Sequence, residues 1–233
     1  MDTEAAEKHG VIVSNLGRYS QVSVAELAIT MIFSLARKIN PSACRTKAGK
    51  ERYQGLMGFE LRGKVLGVIG MGSIGDYIAQ LGHGLGMRVI GYNRTSKTNS
   101  VPLVPIEQLL QQADVIAVSL ALNEYTENFL SAERLSLLKS QALVVNISRE
   151  GLIDQEAIYQ LLINNKIGGY AFELDEPRKF PIKQELLMLD NVIATPYTGW
   201  YTFEAFQGLK QAAIDNILAM IQGRPINVVN KSK

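Results

Sequence analysis

Short apolar runs alternate with longer amphipathic stretches through most of this 233-residue chain. Nearly uninterrupted apolar runs separated by helical segments are typical of a parallel sheet that is covered on both faces. The pattern predicts an α/β fold with a doubly wound parallel sheet, whose ligands bind beyond the carboxyl ends of the strands. The predicted strands cover residues 11–13, 65–69, 87–92, 115–120, 142–146, 169–172 and 192–194, and the predicted helices residues 22–39, 76–86, 105–110, 132–139, 154–165 and 202–222. Residues 41–62, with a proline and several glycines, are expected to form a connecting surface loop.

Composition and charge limit the classes of partner and cellular setting that the chain suggests. Hydrophobic residues make up 47% of the chain and charged residues 20%, which is typical of a globular protein. The net charge of +2 gives no electrostatic reason to expect a nucleic acid or membrane partner, and the apolar stretch of residues 22–39 is too short to span a bilayer. Cys44 is the only cysteine, which fits a reducing, cytoplasmic setting. No metal site is predicted.

A glycine-rich turn follows the strand of residues 65–69. Gly70, Gly72 and Gly75 form a G-x-G-x-x-G pattern between that strand and a helix, inside a β-α-β unit. In this context the first glycine permits a tight turn, the second admits a pyrophosphate, and the third allows helix and strand to pack closely. With the backbone of Ser73 and Ile74, the turn is predicted to bind a dinucleotide at the helix N-terminus. The alternative is a glycine-rich turn without a ligand.

The residues after the second strand of this unit bear on the form of the cofactor. In NAD-selective folds an acidic residue near this strand end binds the ribose 2′-hydroxyl. Here Asn93, Arg94, Thr95 and Lys97 follow Tyr92, so repulsion of a 2′-phosphate is absent and cations are present. We therefore expect NADP to be favoured over NAD, with Asn93, Arg94 and Thr95 in contact with the cofactor. A solvated polar loop is the alternative.

Several segments of the chain contain recognisable sequence motifs. Together they resemble the D-isomer-specific 2-hydroxyacid dehydrogenase family, in family order and over nearly the whole chain. The segments are residues 15–17, 24–26, 63–75, 86–92, 144–154, 175–177 and 191–196. The resemblance implies a two-domain fold, a nicotinamide cofactor, a small 2-oxo or 2-hydroxy acid substrate, and a homodimer whose interface includes the apolar helix of residues 22–39.

The resemblance also implies a domain organisation. Residues 1–20 correspond to a remnant of the substrate domain, residues 21–199 to the dinucleotide-binding domain, and residues 200–233 to a C-terminal helix that returns to the substrate domain. Most of the family's substrate-domain sheet has no counterpart in the chain, which would then be a shortened product or a fragment. Apolar surface is therefore expected on the helix of residues 202–222.

By resemblance, Arg149 is the arginine that binds the substrate carboxylate, a task that suits its planar guanidinium. Leu120, Ile147, Ser148 and Arg149 itself, at the ends of two strands, are expected to line the cofactor site. Glu176 matches the glutamate that orients the family's catalytic histidine. A surface arginine and a solvent-facing glutamate are the respective alternatives.

The chain departs from the family at its acid/base position. Tyr197 follows the Thr-Pro pair where the family has histidine, and the two histidines, His9 and His83, are expected at the surface. A family aspartate falls on Ala171, with Glu173 nearby. A phenol can donate a proton but is a poor base at neutral pH. The family's His-x-Pro after the middle strand is also missing.

These observations predict an NAD(P)-dependent oxidoreductase related to D-2-hydroxyacid dehydrogenases, with weak or absent 2-hydroxyacid turnover. Two alternatives stay open, because the histidine is missing and the chain is short. One is a catalytically impaired nucleotide-binding relative that acts as a dimer or through a partner. The other is a truncated copy without function.

Overall fold

The computed structural model describes residues 2–50, 52–94, 100–175 and 184–230. The chain divides into two compact units, one formed by residues 24–199 and the other by residues 1–23 together with residues 200–233. None of the helices in the described part of the chain combines the length and apolar character needed to cross a bilayer.

The larger unit contains a six-stranded sheet in the order β2-β1-β3-β4-β5-β6, with every neighbouring pair parallel. The strands are β1 Val65–Ile69, β2 Arg88–Tyr92, β3 Val115–Val118, β4 Leu143–Asn146, β5 Gly169–Glu173 and β6 Val192–Thr195. Since all strands are parallel, their carboxyl ends lie at one edge of the sheet. The predicted doubly wound parallel sheet is confirmed.

The six predicted helices are present, although several of them are shorter, and the described part of the chain adds three that the sequence does not predict, at Thr3–Lys8, Ile39–Lys47 and Gln184–Leu187. In chain order the helices are α1 Thr3–Lys8, α2 Gln21–Ala36, α3 Ile39–Lys47, α4 Ser73–Gly84, α5 Ile106–Gln112, α6 Ala132–Leu135, α7 Gln155–Ile163, α8 Gln184–Leu187 and α9 Phe203–Ile221, with a 3₁₀ turn at Glu150–Leu152. Asp154 caps α7, and its carboxylate accepts a hydrogen bond from the Ala157 N–H at 2.9 Å.

Alternate residues of the central strands build two apolar cores, one on each face of the sheet. Val68 of β1 and Val145 of β4 pack on the face that α2 and α4 cover. Ile116 of β3 and Phe172 of β5 pack on the opposite face, against α5 and α7. Burial on both faces explains why these strands read as continuous apolar runs.

Two expectations from the sequence are wrong, at residues 41–62 and at residues 11–13. Residues 41–62 are not entirely a loop, because α3 extends through Lys47 and Pro41 lies in its first turn, where proline is tolerated. Residues 11–13 do not form a strand. Two of their backbone groups bond instead to the side chain of Asn230, which accepts from the Val13 N–H at 2.9 Å and donates to the Val11 carbonyl at 2.6 Å.

The smaller unit is built around α9. A single antiparallel bridge joins Ser14 to Val228 within it. The helix leaves several large apolar side chains exposed, among them Phe203 at 75% and Ile221 at 77%. Apolar surface on this helix agrees with the sequence expectation.

Candidate functional site

The glycine-rich turn has the close approaches that the sequence predicts. Gly70 has φ +99°, and a Cβ atom there would lie 2.8 Å from the backbone of Ser119 at the end of β3. A Cβ atom on Gly75, in the first turn of α4, would lie 2.1 Å from the Gly70 carbonyl oxygen. Both positions therefore require glycine, one for backbone conformation and contact, the other for helix–strand packing.

Gly72 differs, because a Cβ atom there would meet nothing within 4 Å. The residue is the N-cap of α4, and no side chain caps this end of the helix in the described part of the chain. The backbone of Ser73, Ile74 and Gly75 forms the first turn beyond it. A helix N-terminus with open space before it offers N–H groups and positive dipole to an anionic group. The described part of the chain therefore leaves open space beside Gly72 at this helix N-terminus.

The other predicted cofactor-site residues follow neighbouring strands. Asn93 and Arg94 come directly after β2, with Arg94 exposed, whereas Thr95 and Lys97 lie outside the described residues. Leu120 is half-buried beyond β3, and Ile147 is buried in the core beyond β4.

Ser119, which the sequence analysis missed, donates a hydrogen bond from its hydroxyl to the Gly70 carbonyl at 2.6 Å. A serine at a strand end gives no local signal for this contact, since the partner is 49 residues away.

Arg149 lies in a turn just beyond β4. Asn146 shapes this turn, because its side chain donates to the Arg149 carbonyl at 2.8 Å and accepts from the Ser148 N–H at 3.1 Å. The guanidinium donates from Nη1 to the Ser148 carbonyl at 3.1 Å and from Nη2 to the Tyr197 hydroxyl at 2.8 Å. Its Nε lies 2.5 Å from Oδ2 of Asp175. The structure thus brings two of the predicted catalytic residues, Arg149 and Tyr197, into direct contact.

Tyr197 is held by an unusual backbone conformation. Its φ of +55° lies in the left-handed region, which bulky residues rarely adopt. The next two N–H groups, of Thr198 and Gly199, donate to Oε1 of Glu173 at 2.6 and 3.0 Å, and the Thr195 hydroxyl donates to the same oxygen at 3.2 Å. A carboxylate at the end of β5 therefore fixes the turn that carries the phenol.

The acidic residue at this strand end is Glu173, whereas Ala171 is buried within β5. Glu173 is only 2% exposed. Burial raises the pKa of its carboxyl, and the two amide hydrogen bonds, the Thr195 hydroxyl and the nearby Arg149 charge oppose that rise. Glu176, the predicted partner of an acid/base residue, lies outside the described residues.

Asp175 and Glu150 are the further site residues that sequence reasoning missed. Glu150 is fully buried and its Oε1 accepts a hydrogen bond from the Asp175 N–H at 2.7 Å. The adjacency of Glu150 to Arg149 in the sequence was the available signal. His9 and His83 are both exposed, as expected. No group of potential metal ligands occurs among the residues described.

Comparison with known proteins gives a consistent result. Residues 29–199 match the D-isomer specific 2-hydroxyacid dehydrogenase NAD binding domain. The chain is 36% identical over 237 residues to a D-3-phosphoglycerate dehydrogenase from Methanocaldococcus jannaschii, covering 99% of this chain but 45% of that protein. It is also 36% identical over 211 residues to a hydroxypyruvate reductase from Thermotoga maritima, covering 88% of this chain and 68% of that protein.

A solved structure extends the similarity to the fold. An acyclic imino acid reductase, in complex with NADPH and D-arginine, superposes with a TM-score of 0.92 at 31% identity, covering 98% of this chain and 74% of that one. These proteins are dehydrogenases and reductases, which confirms the predicted function class at the level of the family and favours it over the two non-catalytic alternatives. With its NAD-binding domain matched over residues 29–199, this chain belongs to the D-isomer specific 2-hydroxyacid dehydrogenase family.

Proposed function

We propose that this protein transfers a hydride between NADP(H) and a small 2-oxo or 2-hydroxy acid, with reduction as the favoured direction. The observation that carries the proposal is the contact of 2.8 Å between Arg149 Nη2 and the Tyr197 hydroxyl. Arg149 lies at the carboxyl edge of the sheet beyond β4, two strands from β1 and its glycine-rich turn. Two strand spacings are about 10 Å, a distance that a bound dinucleotide can cross.

The residues at the glycine-rich turn fit a nicotinamide dinucleotide. The open space at Gly72 accommodates the diphosphate, and the first-turn amides of Ser73, Ile74 and Gly75 would bind it. When bound there, the cofactor would supply the hydride. The protein's share of the chemistry is to hold the substrate and to provide a proton.

Arg149 is suited to hold the substrate carboxylate. Its described hydrogen bonds use one N–H on each of its three nitrogens, so one N–H on Nη1 and one on Nη2 remain within the described part of the chain. An N–H on each terminal nitrogen can donate to the two oxygens of one carboxylate, which is the contact that we propose for the substrate.

Tyr197 is suited to donate the proton. A guanidinium has no acceptor, so in their contact Arg149 donates and the phenol oxygen accepts. The hydroxyl proton of Tyr197 must therefore point to another acceptor, and a substrate carbonyl oxygen beside Arg149 is the natural one. After transfer, the same arginine would stabilise the phenolate. The reverse reaction needs a base, which a protonated phenol does not provide.

NADPH oxidation with glyoxylate, pyruvate or hydroxypyruvate tests this proposal. Loss of a positioned proton donor usually costs about 10²–10⁴-fold in rate, so Tyr197→Phe should lower kcat by that order. Tyr197→His should raise turnover above that of the wild type, since imidazole can act as both acid and base near neutral pH. The proposal is wrong if Tyr197→Phe and the wild type reduce these acids equally well.

The preference for NADP rests on Asn93 and Arg94, which follow β2 without an acidic neighbour among the described residues there. A charge-assisted contact to a 2′-phosphate is worth about 1.5–3 kcal/mol, so Arg94→Ala should weaken NADPH binding at least tenfold and leave NADH binding unchanged. Equal dissociation constants of the wild type for the two cofactors would refute the preference.

Reduction of a 2-imino acid is a second candidate, favoured by the similarity to the imino acid reductase and by the phenol at position 197. A protonated imine accepts a hydride at carbon and becomes an amine directly, so no proton has to be delivered to the reacting atom. NADPH oxidation by pyruvate with and without methylamine separates the two. Acceleration by the amine that survives in Tyr197→Phe identifies the imine as substrate.

We further propose a homodimer in the cytoplasm. Phe33 on α2 is 39% exposed and Ile39 is 51% exposed, while Cys44 is an exposed free thiol that suits a reducing compartment. Light scattering should give twice the chain mass, and Phe33→Asp should shift the protein toward monomer. A monomeric wild type at micromolar concentration would refute the dimer.

A further inference from the structure

Asp175 occupies one side of the arginine that the proposed function assigns to the substrate carboxylate. Its Oδ2 lies 2.5 Å from Arg149 Nε, and both side chains are only partly exposed. The two terminal nitrogens of the guanidinium remain the edge at which a ligand can dock. A docked carboxylate would therefore lie close to a second carboxylate that belongs to the protein.

The position of Asp175 is fixed by another acid. Its N–H donates to Oε1 of Glu150 at 2.7 Å, and Glu150 is completely buried. A short hydrogen bond to a buried carboxylate orders the backbone at the start of the loop after β5. Asp175 is thus held in position to form its ion pair with Arg149.

The described residues around Arg149 include a second acid besides Asp175. Glu173, buried at the end of the same strand, also interacts with the Arg149 charge. Among the described residues, the carboxylate of Asp175 contacts this guanidinium and Glu173 interacts with its charge, whereas Glu150 acts on the site by holding the Asp175 backbone. A ligand with one carboxylate can use the free edge of Arg149, but a second negative charge would meet repulsion that the arginine no longer offsets.

We propose that Asp175 is a specificity-determining residue, which makes the site select substrates with a single negative charge and reject dianionic ones. The inference rests on the proposed function, because it takes Arg149 as the substrate's anchor. Its consequence is that monocarboxylic oxo or imino acids are accepted, whereas substrates with a second carboxylate or a phosphate bind poorly.

Binding of oxamate and oxalate tests the inference without requiring turnover. The two molecules have nearly the same shape, but oxamate is a monoanion and oxalate a dianion. A carboxylate roughly 6 Å from a second charge, at an effective dielectric constant between those of a protein surface and of water, changes binding about tenfold. Calorimetry with the NADPH-saturated protein should therefore show wild type binding oxamate about tenfold more tightly than oxalate.

Asp175→Asn keeps the shape of the side chain and removes its charge. It should bring the ratio of the two dissociation constants close to one, mainly by tightening oxalate. Asp190→Asn is the matched control, since Asp190 is exposed and precedes β6 at the opposite edge of the sheet. That variant should keep the wild-type ratio, and Arg149→Ala should abolish binding of both anions.

An unchanged ratio in Asp175→Asn, equal weakening of both anions, or absence of binding to wild type would each overturn the inference. The proposed function fails separately. If the ratio responds to Asp175→Asn but NADPH is not oxidised with any oxo or imino acid, the charge selection stands and the oxidoreductase proposal does not.

Discussion

The close approach at Gly75 makes Gly75→Ala a sharp test of the glycine-rich turn. The added Cβ would lie 2.1 Å from the Gly70 carbonyl oxygen, whereas ordinary van der Waals contact begins at 3.4 Å. The Gly70 oxygen belongs to the backbone and cannot rotate away as a side chain would, so α4 must move from β1 by about an ångström. Overpacking of this kind costs about 1–3 kcal/mol, which lowers Tm by roughly 2–4 °C for each kcal/mol in a protein of this size.

The same displacement should weaken cofactor binding. The amides that would bind the diphosphate belong to the first turn of α4, and moving them by about an ångström degrades every one of those hydrogen bonds. We expect the dissociation constant for NADPH, measured by fluorescence titration, to rise at least tenfold. Circular dichroism melting gives the change in Tm.

Gly84→Ala is the matched control, because it lies on the same helix and its Cβ would meet nothing within 4 Å. Alanine in place of a helical glycine is neutral or stabilises by up to about 1 kcal/mol. This variant should bind NADPH as the wild type does. If both variants melt and bind alike, the close packing of α4 on the turn is not what positions the cofactor.

Three further changes have defined outcomes. Gly72→Ala should fold with a Tm within a few degrees of wild type, because its Cβ enters open space, yet lose NADPH affinity in titration; retained affinity would place the diphosphate elsewhere. Burial raises the pKa of Glu173. The contribution of this carboxyl to the free energy of unfolding is therefore present below the usual carboxyl pKa and is lost as pH rises through the raised value. In urea titrations between pH 4 and 7, Glu173→Gln should reduce this loss of stability with rising pH. For Asp114, burial alone would raise the pKa, but hydrogen bonds from the Val65 N–H and from Lys139 lower it. Asp114→Asn should therefore lower the free energy of unfolding at neutral pH, and this difference from wild type should vanish as pH falls through the lowered pKa. A constant cost of Asp114→Asn at every pH would contradict the assignment.

The parts of the fold that depend on local pattern were predictable. The continuous apolar strands and the spacing of Gly70, Gly72 and Gly75 specify a parallel sheet and its first turn, because burial and close packing act within a few residues. The capping of α7 by Asp154 followed from the same local logic. The family motifs then placed Arg149 beyond β4 and Tyr197 beyond β6, both at the carboxyl edge of the sheet.

The acids of the site were not predictable in the same way. Glu173 reaches the Thr195–Gly199 turn because the register of β5 and β6 sets it opposite Thr195, and register depends on pairing rather than on sequence offset. The motif spacing had pointed to Ala171 instead. Glu150 and Asp175 are 25 residues apart, so their contact is visible only in three dimensions. A local pattern carries no information about such pairs.

The left-handed backbone at residue 197 restricts which side chains that position can carry. Glycine, asparagine and histidine enter this conformation more readily than β-branched residues, in which the extra branch at Cβ collides with the neighbouring carbonyl. A change from tyrosine to histidine is therefore easy for the main chain, whereas a change to valine or isoleucine would strain it even before any chemistry is lost. At this turn, replacement of one proton-donating side chain by another would then strain the backbone less than replacement by a β-branched aliphatic residue.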